Sequence, residues 1–171
     1  GNGQVVSFMG TMPLDNKPLP DGTRPASFYY LNKDMTLVQV ASDLVTANGC
    51  AGFTENGVTT VFYSDSHGTA RTIWQAQFSP SSGQLFGKKV YKVFAEGEGR
   101  PDGAGLTYVK GALQYGICEI DTNIITARNP KDANDISARF LLPEGVEKVT
   151  KFAQGTAGGR HFMLATTLDP N

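Results

Sequence analysis

Helical periodicity is missing from this chain of 171 residues. No 3.6-residue apolar spacing persists for three turns, which points away from helical bundles and doubly wound folds. The nearest candidate, Val146–Ala153, is bracketed by Gly145 and Gly155 and reads as a strand plus a turn. No apolar run approaches the ~20 residues that span a bilayer as a helix. No run of Lys or Arg occurs, and 15 basic residues balance 16 acidic ones. A nucleic-acid or anionic-membrane surface needs clustered cations, so neither partner is expected. Cysteine is scarce: Cys50 and Cys118 show no CxxC or Cys/His spacing, so structural zinc is not indicated and two buried thiols are expected. Gly1-Asn2-Gly3-Gln4 is not a basic segment leading into an apolar run. A cytoplasmic location is therefore the expectation, with secretion left open.

What is present reads as all-β. Hydrophobic residues make up 40% and charged residues 18%, the balance of a folded domain. The 20 glycines and nine prolines are spread along the chain as turn punctuation. Between them lie predicted strands at Val5–Met9, Ser27–Leu31, Leu37–Val40, Val58–Ser64, Thr72–Phe78, Lys89–Phe94, Ala112–Ile120, Arg139–Leu142 and His161–Thr166. Val58–Ser64 is β-branched and aromatic up to its final Ser, as a buried strand should be. Asn32-Lys33-Asp34, Glu55-Asn56-Gly57 and Ser79–Gly83 carry turn chemistry, and Asn56-Gly57 tolerates positive φ. Three coarse strand–turn–strand units start near Asn48, Asp102 and Lys148, about 50 residues apart, which is the scale of a propeller blade.

Several segments, in order, resemble one family. Phe8-Met9-Gly10-Thr11-Met12 is similar to its aromatic-x-Gly-Thr-Met strand. Asn48-Gly49 followed by Phe62-Tyr63-Ser64-Asp65-Ser66 is similar to its Asn-Gly blade. Ile73–Phe78, Gly83 and Val90–Phe94 resemble its next hairpin, and Gly99–Gly103 its Gly-x-Pro-Asp-Gly segment, read here as a turn. Leu142-Pro143, Val149-Thr150, Gly158-Gly159 and Leu164–Thr167 resemble its following blade. On these residues the chain resembles the senescence marker protein (regucalcin), gluconolactonase and luciferin-regenerating enzyme family, over almost its whole length.

The resemblance implies a six-bladed β-propeller, of which residues 1–171 supply about three to four central blades; the remainder of the propeller is then the expected partner. It implies one divalent cation at the centre, calcium first, with zinc or magnesium as alternatives. It implies hydrolysis of sugar lactones or related esters. Asn48 and Asp102, 54 positions apart and each preceding a Gly, match the family's metal ligands. Asp102 matches the ligand that doubles as general base. Asp15 falls where the family places an acidic contact to substrate hydroxyls, although Pro13–Pro18 departs from the pattern. The family's third ligand, a Glu, and its substrate-binding Arg and Asn have no counterpart in these residues. After Asp102, Gly111–Ile120 keeps the family hairpin poorly and Asn123–Asp135 is irregular, so a distorted blade is expected there.

Read as turns, Asn48-Gly49 and Pro101-Asp102-Gly103 are ordinary backbone chemistry. Asp65, Ser66 and His67 are adjacent and cannot form a triad on one strand face. Asp65 is expected to order a turn. The alternative function is a non-catalytic calcium-binding or regulatory propeller module, and a generic β-sandwich would hold Asn48 and Asp102 far apart.

Overall fold

The computed structural model describes residues 7–15, 17–146 and 148–168. Among them there is no α-helix, and hence none long and apolar enough to cross a membrane. The strands run in chain order: β1 (Ser7–Gly10), β2 (Ala26–Leu31), β3 (Leu37–Leu44), β4 (Ala47–Glu55), β5 (Val58–Asp65), β6 (Thr72–Ser79) and β7 (Gln84–Val93). They continue as β8 (Arg100–Val109), β9 (Ala112–Ile120), β10 (Ile124–Asn129), β11 (Asp132–Leu141), β12 (Val149–Ala157) and β13 (Arg160–Thr167). The predicted strand at Val5–Met9 is taken up at Ser7; Val5 and Val6 lie outside the described residues.

These strands form four antiparallel meanders, ordered β1-β2-β3, β4-β5-β6-β7, β8-β9-β10-β11 and β12-β13. Neighbours in sequence pair in space, so each sheet folds through short connections. The sheets stack face to face rather than edge to edge: β4 lies beside β8, and β8 beside β12. The architecture is all-β and propeller-like.

Stacking explains the composition of the middle strands. A sheet covered on both faces needs apolar side chains at successive positions, not at alternate ones. On β5, Val61 and Tyr63 face the first sheet while Phe62 faces the third, and all three are fully buried. Phe28 stacks on Tyr63 with centroids 5.0 Å apart, and Phe62 stacks on Tyr115 at 4.3 Å. Cys118, Ile125, Val149 and Phe152 join the third sheet to the fourth. A Cβ on Gly116 would sit 2.2 Å from the Phe152 ring, so the ring occupies the space that the missing side chain leaves. Cys50 and Cys118 are free thiols; Cys118 is buried as expected, whereas Cys50 is half-buried.

Three expectations are corrected here. Pro101-Asp102-Gly103 is not a turn; it lies inside β8. Gly111–Ile120 forms a hairpin with β8 that turns at Lys110-Gly111, both at positive φ, and its pairing breaks register only opposite Pro101–Ala104. Asn123–Asp135 holds β10 and the start of β11, and its irregularity amounts to register shifts on either side of Arg128. Arg128 is buried there, where its guanidinium donates to Ala133 O and to the Glu119 carboxylate, so a charge reads as loop in the sequence but is satisfied inside a sheet.

Two substitutions on β5 test this stacking. Phe62→Ala is expected to cost about 3–5 kcal/mol in urea unfolding. Tyr63→Phe is expected to raise stability by about 1 kcal/mol, because the Tyr63 hydroxyl is buried with no partner among the described residues.

Candidate active site

Asn48 is the second residue of β4 and Asp102 the third of β8. Each lies where its strand breaks register: the β4–β5 ladder shifts between Asn48 and Ala51, and the β8–β9 ladder between Pro101 and Ala104. Such bulges bend a strand and re-aim a side chain. Here they turn the two side chains toward each other, and the Asn48 Nδ2 amide donates to Asp102 Oδ1 at 2.7 Å.

Glycine makes the approach sterically feasible. Gly49 has φ +57°, and a Cβ there would lie 2.5 Å from Asp102 O and 2.6 Å from Ser64 Oγ. Tyr115 Oη donates to Gly49 O at 3.0 Å, and Ser66 Oγ donates to Pro101 O. Both flanks of the pair are thereby held by buried side chains. Sequence reasoning missed Tyr115 and Ser66 as supports, because an aromatic and a serine in a strand signal only packing and a turn.

The charges around Asp102 set its chemistry. Burial pushes its carboxyl up to about 6, against the pull of Arg100 and Lys151 and with a small push from Asp121. Arg100 is itself paired with Asp121 at 2.6 and 3.0 Å. Burial also pushes the Cys50 and Cys118 thiols up to about 12, so neither is a thiolate at neutral pH.

The remaining candidates separate from this pair. Asp15 lies in the exposed segment between β1 and β2, where its carboxylate accepts the Lys17 N–H at 3.3 Å. Among the described residues it bonds to neither Asn48 nor Asp102. Asp65 orders its turn: it accepts the N–H groups of Val45, Thr46 and His67 and pairs with Arg24. His67 Nδ1 shares a hydrogen bond with the Thr69 hydroxyl, so no Ser/His/Asp relay forms.

A cation fits the donor set in part. An amide oxygen and a carboxylate suit a hard divalent ion. The amide nitrogen now faces Asp102, and rotation of the carboxamide would present its oxygen instead. No group of three His, Cys, Asp or Glu among the described residues is arranged for a metal. Asn48 and Asp102 thus bring together two oxygen-bearing side chains, fewer donors than a divalent ion takes.

Stacked antiparallel meanders whose first strands, the inner strands β4 and β8 that pack on each other, carry an Asn–Asp pair define a propeller-like protein with a polar site between them. The chain belongs to the SMP-30/gluconolactonase/LRE-like family, which matches residues 2–167. No curated protein matches it significantly in sequence. Its fold is similar to that of a luciferin-regenerating enzyme (24% identity, TM-score 0.69, covering 88% of this chain and 47% of that one). It is also similar to a calcium-binding regucalcin from Agrobacterium tumefaciens str. C58 (18%, 0.67, 86% and 44%). A gluconolactonase from Xanthomonas campestris is a third relative in fold (17%, 0.64, 94% and 50%). The chain spans about half the length of these structures.

Asp102 should reveal itself in stability. Its carboxyl is raised from 3.8 to about 6, so between those values the folded state holds a proton that the unfolded state has lost. Stability therefore falls as pH rises through that window, and above it the buried charge is a standing cost. In chelator, Asp102→Asn is expected to melt higher than wild type at about pH 7.5, with the difference gone near pH 4. A variant that melts lower at neutral pH would contradict the burial of this charge.

Proposed function

We propose that this chain carries the central blades of a six-bladed propeller that hydrolyses sugar lactones. The observation that carries the reading is the 2.7 Å contact between Asn48 and Asp102 across two inner strands. Lactone hydrolysis needs a base to take a proton from water and a positive centre to face the carbonyl oxygen. The Asp102 carboxylate, held by the Asn48 amide, is the group that would take that proton as general base. Asn48 holds the carboxylate in one orientation.

Asn48 and Asp102 would hold one divalent cation, which when bound polarises the carbonyl and acidifies water. Calcium is the first choice, supported by the oxygen donors and by the calcium-binding regucalcin of like fold; zinc and magnesium are the alternatives. Asp15 is this chain's candidate contact to substrate hydroxyls, and the remainder of the propeller would supply the other ligand and close the ring.

The competing reading is a calcium-binding or regulatory propeller module without chemistry. A lactone assay on the natural protein separates the two. Asp102→Ala is expected to lower hydrolysis about 100-fold or more. Asn48→Ala should lower both bound metal and rate. Unchanged hydrolysis in Asp102→Ala would reject the assigned base, and a wild type that binds calcium without hydrolysing lactones would establish the competing reading.

A further inference from the structure

The relation between Gly49 and Asp102 recurs one strand further on. A Cβ on Gly103 would lie 2.0 Å from Thr150 O, as one on Gly49 would lie 2.5 Å from Asp102 O. The β12–β13 ladder also breaks register at this level, between Val149 and Lys151. Thr150 therefore stands on β12 where Asp102 stands on β8 and Asn48 on β4. Lys151 stands where the two preceding inner strands have glycine.

A lysine at that place changes the electrostatics of the site. Its chain crosses the open backbone of Gly103, where a Cβ would meet Lys151 Cα and Cδ at 2.9 Å each. Its ammonium donates to Ala104 O at 2.7 Å, two residues beyond Asp102. An ammonium has three N–H bonds, so two remain for other acceptors. Its charge is felt at Asp102, Cys50 and Cys118. The Asn48–Asp102 pair carries one negative charge, and the cations felt there are Arg100, already paired with Asp121, and Lys151. The residue is exposed, and its four-carbon stem is free to swing aside.

We propose that Lys151 is a tethered cation that competes with a divalent ion for the Asn48–Asp102 site. This rests on the metal site proposed above. Without the ion, the ammonium partly neutralises Asp102. With it, a fixed like charge repels the ion until the side chain moves away, so the site takes up the ion only weakly. Lys151 is thus a residue that sets affinity for the ion, not one that touches substrate.

Calcium titration calorimetry on the natural protein tests this, with wild type, Lys151→Met, Lys151→Ser and Lys151→Arg. Met and Ser are expected to lower Kd about 10-fold or more, because the unit repulsion is gone. Arg keeps the charge and should stay within about twofold of wild type. Thermal melting supplies a second reading with opposite signs. Lys151→Met should melt below wild type in chelator, and its gain in melting temperature on adding calcium should exceed that of wild type. A purely structural lysine would lower both melts alike. Equal Kd values for wild type, Met and Ser, with lactone hydrolysis intact, would overturn the proposal and leave the hydrolase reading standing. No calcium binding in any of the four proteins would overturn it together with the metal site.

Discussion

A side-chain carbon has no room at position 49 or 103, and this constraint governs how the first strands of successive sheets pack. At both places the carbonyl of the next inner strand fills the space that a Cβ would take. The inner strands can then pack closely enough for side chains one sheet apart to touch. Asn48 and Asp102 meet for that reason, and Lys151 reaches the same region over the bare backbone of Gly103. A larger residue at either glycine would wedge the strands apart and separate the pair.

The outer structure serves this inner geometry. Aromatic stacks run between sheets, from Phe8 through Phe28 to Tyr63 on one side of the second sheet and from Phe62 to Tyr115 on the other. Tyr115 belongs to both systems, since its ring packs against Phe62 and its hydroxyl holds Gly49 O. Hydrophobic burial between sheets and hydrogen bonding at the inner strands are therefore joined through one fully buried side chain. Asp65 plays a comparable part at the end of β5, where one carboxylate satisfies three backbone N–H groups and a guanidinium.

Much of this was legible in the sequence. Val58–Ser64 and Thr72–Phe78 announced themselves by β-branched and aromatic content, and both are strands. The inner strands β4 and β8 were not legible as strands. Ala47–Phe53 and Arg100–Leu106 are rich in Gly, Ala, Asn and Asp, which carry turn propensity. Their extended form comes from pairing and from close packing at the centre, where small residues are required. The same small residues create the bulges that aim Asn48 and Asp102, so local propensity conflicts with the fold at the candidate site itself. Asn48 and Asp102 stood out only through family resemblance. Lys151 gave no signal, because a lysine alternating with apolar residues reads as a solvated strand face.

The account turns on Asn48 and Asp102 acting on each other across two strands. A double-mutant cycle with Asn48→Ala and Asp102→Ala, read by chemical unfolding in chelator at neutral pH, measures that directly. A coupling of at least about 1 kcal/mol is expected for a hydrogen bond to a carboxylate. Effects additive to within about 0.3 kcal/mol would show that the two side chains do not interact, and the site would be lost with them.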